Sequence, residues 1–319
     1  MKPRNVLLIG GSGFVGGWIA NRLYELNIRV TIPTRRRDHC KELILLPNVA
    51  TVDADVHDPE QLLALMQGKD AVINLVGILH DSDAKAPYGK RFRAAHVELP
   101  EKIIAAMKQA GVRRLVHMSA LGAAVDAPSA YLRSKAAGED LVLAAANDLD
   151  VTIFRPSVIF GPNDAFLNTF ATLLKFFPVL PIGGGSARFQ PVYVGDVAEA
   201  FAASLSDSAT YDQVYELCGP QIYTLHELVE YAAKLIGKRR QVIDLPASLA
   251  KLQATVLSWL PNPPMSPDNL RSMQVDSVTQ GLRNYPGWKP LSLEAVAPSY
   301  LSAVKPKRRL DGYRCRAGR

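Results

Sequence analysis

The chain reads as an α/β protein: a doubly wound parallel sheet of about seven strands with a smaller, interleaved C-terminal lobe. Three observations predict this. Apolar segments of strand length alternate with helical patterns at a regular pace, as repeated βαβ units do. The first segment, Asn5–Ile9, is apolar on both faces, as a central parallel strand must be. It runs straight into glycines spaced three apart, Gly10, Gly13 and Gly16, within Val-Leu-Leu-Ile-Gly-Gly-Ser-Gly-Phe-Val-Gly.

In that first turn Gly10 allows a tight reversal, and Gly13 lets backbone N–H groups approach a phosphate with no Cβ in the way. Gly16 lets the next helix pack close to the strand. The helix from about Phe14 and Val15 to Leu26 then aims its positive end at the ligand, which predicts dinucleotide binding. Further strands are expected at Arg29–Thr34, Ala50–Val56, Ala71–Val76, Arg114–Ser119, Val151–Phe154 and Val214–Leu217. Helical patterns lie around Glu60–Met66, Arg93–Ala110, Ala130–Ala146 and Val197–Ser206. With right-handed crossovers this is a Rossmann-type sheet. Residues 1–161 and 191–219 are assigned to the dinucleotide-binding domain, and 162–190 with 220–304 to a substrate or partner lobe. Residues 305–319 form a basic tail expected to be disordered.

Composition narrows the function classes. The 319 residues are 48% hydrophobic and 21% charged, an ordinary globular balance, and no apolar run reaches the ~18 residues that span a bilayer. Met-Lys-Pro-Arg enters the first strand at once, so no signal peptide is expected. Cys40, Cys218 and Cys315 form no Cys-x-x-Cys pair, which predicts a reducing cytoplasm. The six histidines show no ligand spacing, and no metal is expected. Of the formal net charge of +7, residues 305–319 carry +6 (seven Lys/Arg against Asp311). Nothing else suggests nucleic acid. The tail reads as a solvated segment, or as an electrostatic contact with anionic lipid or an acidic partner.

The residues that could do chemistry sit at strand ends. The second strand closes on Thr34-Arg35-Arg36-Arg37, where an NAD-preferring site usually carries Asp or Glu. Guanidinium groups suit a 2′-phosphate, so Arg35 and Arg36 favour NADP(H), with NAD(H) the alternative. Asp55 and Val56 close the third strand near the adenine, and Leu75, Val76 and Gly77 follow Asn74 beside the phosphates and ribose. Tyr131 and Lys135 lie at i, i+4 on one helical face. A cation so close can lower the tyrosine pKa and prepare it for acid/base work, while Lys135 holds the nicotinamide ribose. Ser119, at the end of the fifth strand, can bond a substrate carbonyl. His117, within an apolar strand, reads as a core histidine.

Several motifs together resemble the extended or atypical short-chain dehydrogenase/reductase superfamily. They are the glycine loop, Tyr131/Lys135, Arg155-Pro-Ser-Val-Ile-Phe-Gly-Pro162 and Val194-Gly-Asp-Val-Ala198. More narrowly, Tyr131-Leu-Arg-Ser-Lys135 followed by Ala-Ala-Gly-Glu139, with Phe189-Gln-Pro-Val-Tyr193, resembles the family of NADPH-binding accessory subunits of respiratory complex I and their bacterial relatives. The resemblance implies a bound NADP(H), with Pro156, Ser157 and Val158 along the nicotinamide. It also implies a link to quinone or respiratory metabolism, and a site peripheral to the inner membrane. Ser119 is followed by Ala120, Leu121 and Gly122, not by the consecutive hydroxyls of sugar-nucleotide members, and Phe189 stands where those members carry an arginine. Both departures argue against a nucleotide-sugar enzyme.

Two readings follow. In one, the chain is an NADP(H)-dependent oxidoreductase acting on a small apolar carbonyl or quinone-like substrate, with Tyr131 as acid/base, Lys135 as its partner and Ser119 orienting the substrate. In the other, it is a catalytically weak or inactive binding or assembly module stabilised by NADPH. The lobe could also meet a protein or membrane surface. Leu249–Leu260 carries an apolar stripe (Leu249, Leu252, Val256, Leu260, with Leu257 and Trp259 beside it), expected to pack on the lobe, with interfacial docking as the alternative.

Overall fold

The computed structural model describes residues 3–35, 40, 42–81, 86–260, 263–281 and 283–302. Arg36 and the tail 305–319 therefore lie outside the described residues. The chain divides into two compact units. The first comprises residues 1–157, 194–217 and 279–288; the second comprises 158–193, 218–278 and 289–319.

The first unit is built on a seven-stranded parallel sheet. Its strands are β1 (Asn5–Ile9), β2 (Arg29–Thr34), β3 (Val49–Asp53), β4 (Ala71–Asn74), β5 (Arg114–Met118), β6 (Asp150–Pro156) and Gln213–Leu217. The spatial order is β3-β2-β1-β4-β5-β6 followed by Gln213–Leu217. Every expected strand is present. Because the order reverses between β1 and β4, the C-terminal ends of these strands flank a topological switch point, where such sheets bind ligands.

Helices α1 (Phe14–Glu25), α2 (Pro59–Met66), α3 (Lys90–Arg93), α4 (Leu99–Ala110) and α5 (Ala130–Ala144) connect the strands. A π turn, Ala94–Glu98, joins α3 to α4 without a break. On one side α2, α4 and α5 close a core of Leu62, Met66, Ile103, Met107 and Val142 over Leu7, Val72 and Val151. Helix Val194–Ser204 packs against α1. Asn284 extends the far edge by bridging to Glu216, while Tyr285 meets Phe154 and Tyr215 edge-on.

The second unit has short strands and a helical core. Helices Leu167–Phe176 and Leu225–Leu235 share buried contacts with Leu180, Ile182, Leu293 and Ala297. Thr224 and Glu227 form a reciprocal capping box that starts the second of these helices. Strand Val179–Ile182 pairs in parallel with Gln241–Asp244, and Arg188–Phe189 pairs antiparallel with Tyr223–Thr224.

One expectation is corrected in this unit. The helix Ala247–Leu257 does not bury its large apolar stripe: it packs through Ala250 and Ala254, while Leu249, Leu252 and Val256 stay at least half exposed. Small residues are what the close approach requires, since a Cβ on Gly183 would sit 2.7 Å from the Ala250 Cβ. The run Gly183-Gly184-Gly185 is closely fitted as well. Gly184 has φ +75°, and a Cβ on Gly185 would overlap the Asp244 carboxylate at 1.8 Å.

Candidate nucleotide-binding and active site

All of this geometry lies within the first unit. Gly10 adopts φ +83°, and a Cβ there would come within 3.2 Å of the backbone of Leu75 and Val76. Gly16 is tighter still, since its Cβ would lie 2.5 Å from the Gly11 Cα. The fold itself demands both. Gly13 differs: a Cβ would meet only the Gly10 carbonyl oxygen, at 3.4 Å. Packing does not require glycine at position 13, whereas a phosphate resting on the backbone at the start of α1 does. Phe14 and Val15 form the first turn of that helix, with Gly13 as its N-cap.

A cavity of about 560 Å³ opens beside this turn. Ile9, Gly10 and Ser12 line it from β1, Thr34 and Arg35 from β2, Val56 and His57 from beyond β3, and Val76 from beyond β4. Arg35 is exposed, so its guanidinium is hydrated and available to an anion. Asp55 accepts a hydrogen bond from the His57 backbone N–H at 3.0 Å, which shapes the turn after β3. The sequence reading names Thr34 only as the end of the second strand and does not single out Ser12 or His57; the available signal was their proximity to the ends of the first three strands.

The second half of the site surrounds the start of α5. Ser129 caps that helix by accepting from the Leu132 N–H at 3.2 Å, and one turn carries Tyr131 and Lys135. Lys135 is buried, and its Nζ donates to the Met118 carbonyl at 2.7 Å, fastening α5 to the end of β5. Burial pulls its pKa down to about 8, with Glu139 opposing the shift. Tyr131 behaves contrary to the expected lowering: burial pushes its phenol up to about 12, so desolvation outweighs any help from the lysine.

The loop after β5 is stitched to β6 by Ser119 N–H to Phe154 O at 2.8 Å and Leu121 N–H to Pro156 O at 3.0 Å. Ser119 is 3% exposed, and its Oγ has no hydrogen-bond partner among the described residues. A buried hydroxyl in that state is unfavourable unless a ligand satisfies it. Pro156 and Ser157 are buried at the end of β6, where the Ser157 N–H donates to Leu217 O at 3.0 Å. Val158 begins the second unit.

His96 is the residue that the sequence reading missed. It sits in the π turn, stacked on Phe92 and edge-on to Tyr131 at 5.7 Å between centroids. Its Nε2 accepts the Ile78 N–H at 3.0 Å, which places the ring proton on Nδ1, 2.8 Å from Ser134 Oγ. Burial, with Lys135 and His117 nearby, drives its pKa down to about 2, so the imidazole stays neutral. A Cβ on Gly77 would lie 3.7 Å from both His96 Nε2 and Lys135 Nζ, so the loop after β4 borders the same groups. His117 is the expected core histidine: buried, 3.1 Å from Asn74 Nδ2, and lowered to about 3.

The Ala-Ala-Gly-Glu run after Lys135 also acquires physical reasons. A Cβ on Gly138 would overlap the His96 carbonyl oxygen at 1.9 Å, and Glu139 accepts both Nε and Nη2 of Arg155. Gly13 and Ser119 thus mark two places where the chain leaves room and hydrogen-bonding capacity for a dinucleotide: one at the phosphate turn, one near Tyr131 and Lys135.

Among the described residues, no helix is long and apolar enough to cross a membrane, and no group of His, Cys, Asp and Glu could hold a metal. The chain is 33% identical over 283 residues to the mitochondrial NADH dehydrogenase (ubiquinone) 1 alpha subcomplex subunit 9 of Arabidopsis thaliana, covering 85% of this chain and 69% of that protein. It is 30% identical over 277 residues to the mitochondrial NADH-ubiquinone oxidoreductase 40 kDa subunit of Neurospora crassa, covering 85% and 71%. The dTDP-glucose 4,6-dehydratase DesIV of Streptomyces venezuelae, solved with NAD and TYD bound, shares the fold with a TM-score of 0.73 at 19% identity, covering 97% of this chain and 98% of that one. The model of the NAD dependent epimerase/dehydratase family matches residues 6–218, and the chain belongs to that family.

Proposed function

We propose that the chain binds NADP(H) in its first unit and uses it as an oxidoreductase of the short-chain dehydrogenase type. The observation that carries the nucleotide reading is the cavity between Gly10 and Arg35: its β2 edge offers an exposed guanidinium where a ribose-binding carboxylate would favour NAD. When bound, the nicotinamide supplies the hydride donor or acceptor. The chain supplies the rest. Tyr131 is protonated throughout the neutral range and serves as proton donor to a carbonyl or quinone-like oxygen. Lys135, still largely cationic at neutral pH, holds ribose hydroxyls, and the Ser119 hydroxyl bonds the substrate oxygen. The buried thiols of Cys40 and Cys218, neither in a disulfide, support a reducing, cytoplasmic setting.

Two measurements test this. Denaturing fresh protein should release NADP(H) and not NAD(H), and Arg35→Ala should cut the preference for NADP(H) roughly tenfold, the worth of one charge-assisted bond. Equal affinities before and after the substitution refute the role of Arg35. Tyr131→Phe should abolish NADPH oxidation by an apolar quinone while nucleotide affinity changes less than about twofold. Unchanged turnover removes Tyr131 from the chemistry.

A second reading has its own support. A phenol held near 12 and a lysine committed to the Met118 carbonyl are poorly tuned for fast proton transfer. The relatives above are named as respiratory subunits. In that reading the chain is an NADPH-stabilised assembly module. Stoichiometric, slowly exchanging NADPH with no turnover on any carbonyl or quinone would select it.

A further inference from the structure

The loop after β4 and the start of α5 are joined by a chain of hydrogen bonds that runs through one imidazole. The Ile78 N–H donates to His96 Nε2 at 3.0 Å, so that nitrogen carries no proton. Burial keeps the ring neutral, and its single proton therefore sits on Nδ1. From there it donates to Ser134 Oγ at 2.8 Å, and the Ser134 hydroxyl donates in turn to the Tyr131 carbonyl at 2.7 Å. The direction is fixed, from the loop to the tyrosine. His96 and Ser134 are both buried, so water does not compete for these bonds.

The neighbouring rings and backbone hold the imidazole in place. Phe92 stacks on it at 5.4 Å between centroids with 20° between the planes, and Tyr131 meets it edge-on. The Phe92 N–H donates to Asp81 at 2.8 Å, a second tie between the loop after β4 and the segment that carries His96. The His96 carbonyl lies against Gly138, one turn beyond Ser134 on the same face of α5. An apolar side chain of similar size could fill this space. What the imidazole adds is an acceptor and a donor on one rigid plane, so that it takes a hydrogen from one element and gives one to another.

Both ends of the chain belong to the candidate site. Val76 lines the cavity beside the glycine turn, and a Cβ on Gly77 would lie 3.7 Å from both His96 Nε2 and Lys135 Nζ. At the other end, α5 carries Tyr131 and Lys135 in its first turns. A ligand resting on the loop after β4 therefore bears on Tyr131 through His96 and Ser134, by a path that does not pass through Lys135.

We propose that His96, acting through Ser134, is a positioning residue that holds the nucleotide loop after β4 and sets Tyr131 relative to the same ligand. This role rests on the NADP(H) oxidoreductase reading above and adds to it residues outside the Tyr131, Lys135 and Ser119 set.

Three variants of the full chain separate this role from simple packing. Ser134→Ala breaks only the tyrosine side. NADP(H) affinity should stay within about twofold, while kcat for NADPH oxidation by an apolar quinone falls roughly tenfold at unchanged KM. His96→Leu breaks both sides and should also weaken NADP(H) roughly tenfold, because the Ile78 N–H loses its acceptor. His96→Gln, whose amide can accept from Ile78 and donate to Ser134, should recover most of both losses. In the wild type, NMR of the histidine side-chain nitrogens should find His96 neutral with its proton on Nδ1, unchanged from about pH 8 to pH 5. A proton on Nε2, or titration near the ordinary value of about 6.5, would overturn the proposal without any variant having to fold. So would wild-type affinity in His96→Leu, wild-type kcat in Ser134→Ala, or a His96→Gln no better than His96→Leu. Nucleotide binding without turnover in the wild type would refute the oxidoreductase reading alone, and the affinity pattern and the NMR would still decide the role of His96.

Discussion

The turn after β1 and the turn after β5 both lead from a central strand into a helix at the same edge of one sheet, yet they are built differently. The first uses backbone: Gly10 and Gly16 are imposed by contacts under 3.3 Å, and Gly13 is left open. The second uses buried side chains: Lys135 on the Met118 carbonyl, His96 on Ser134 and the Ile78 amide, and Ser119, whose hydroxyl has no partner among the described residues. A backbone cradle depends on space and is indifferent to pH. A side-chain cradle depends on protonation, and desolvation governs it.

Acid should therefore break the second turn's supports first. His96 and His117 carry pKa values near 2 and 3 in the fold against about 6.5 unfolded, so below 6.5 the unfolded chain binds more protons. Their stabilising contribution is complete above that pH and drains away as pH falls. By about pH 5 the two together should cost ~4 kcal/mol, read from urea melts at neutral pH and at pH 5. Equal stability at both would show that the imidazoles are not neutral and buried together. Lys135 adds no slope in this window, because folded and unfolded states are both mostly protonated below its folded value near 8.

The first turn can be divided by two substitutions. Gly16→Ala drives a Cβ into backbone and should destabilise the unit by ~3 kcal/mol, whereas Gly13→Ala should leave the melting temperature within about a degree yet weaken NADP(H) roughly tenfold. If Gly13→Ala binds nucleotide normally, no phosphate rests on that backbone. The smallest effect has the opposite sign. A Cβ added at Gly17 would meet no heavy atom within 4 Å, so Gly17→Ala should stabilise α1 by ~0.5–1 kcal/mol, measured as a rise in denaturation midpoint.

The same contrast explains what could be read in advance. Seven strands were legible because buried parallel strands are continuously apolar and glycines punctuate them. The lowering expected for Tyr131 fails because spacing gives proximity to Lys135 but not the burial that dominates. The π turn that carries His96 has no sequence signature, since it exists to seat a carbonyl against Gly138. The helix Leu225–Leu235 was missed despite a readable signal, Thr224 and Glu227 ahead of an apolar period. The stripe at Leu249–Leu260 is expected to face inward because large apolar residues usually do; here alanines take the contact and the leucines are left outside.

The π turn has a further consequence, for chain length. An α-helix accommodates one residue about every 100° and 1.5 Å. Ala94–Glu98 holds a wider turn, so removing one residue there would let α3 and α4 fuse into a regular helix. A π turn absorbs its extra residue without changing the phase of the flanking helices. The fusion would therefore leave Lys90–Arg93 and Leu99–Ala110 facing as before, but the widened turn that seats the His96 carbonyl against Gly138 would close. The His96 ring, which stacks on Phe92 and meets Tyr131 edge-on, would be displaced with the turn. Between Phe92 and Leu99, then, the number of residues is itself a component of the site, and a deletion there would do what no single side-chain change in the turn can.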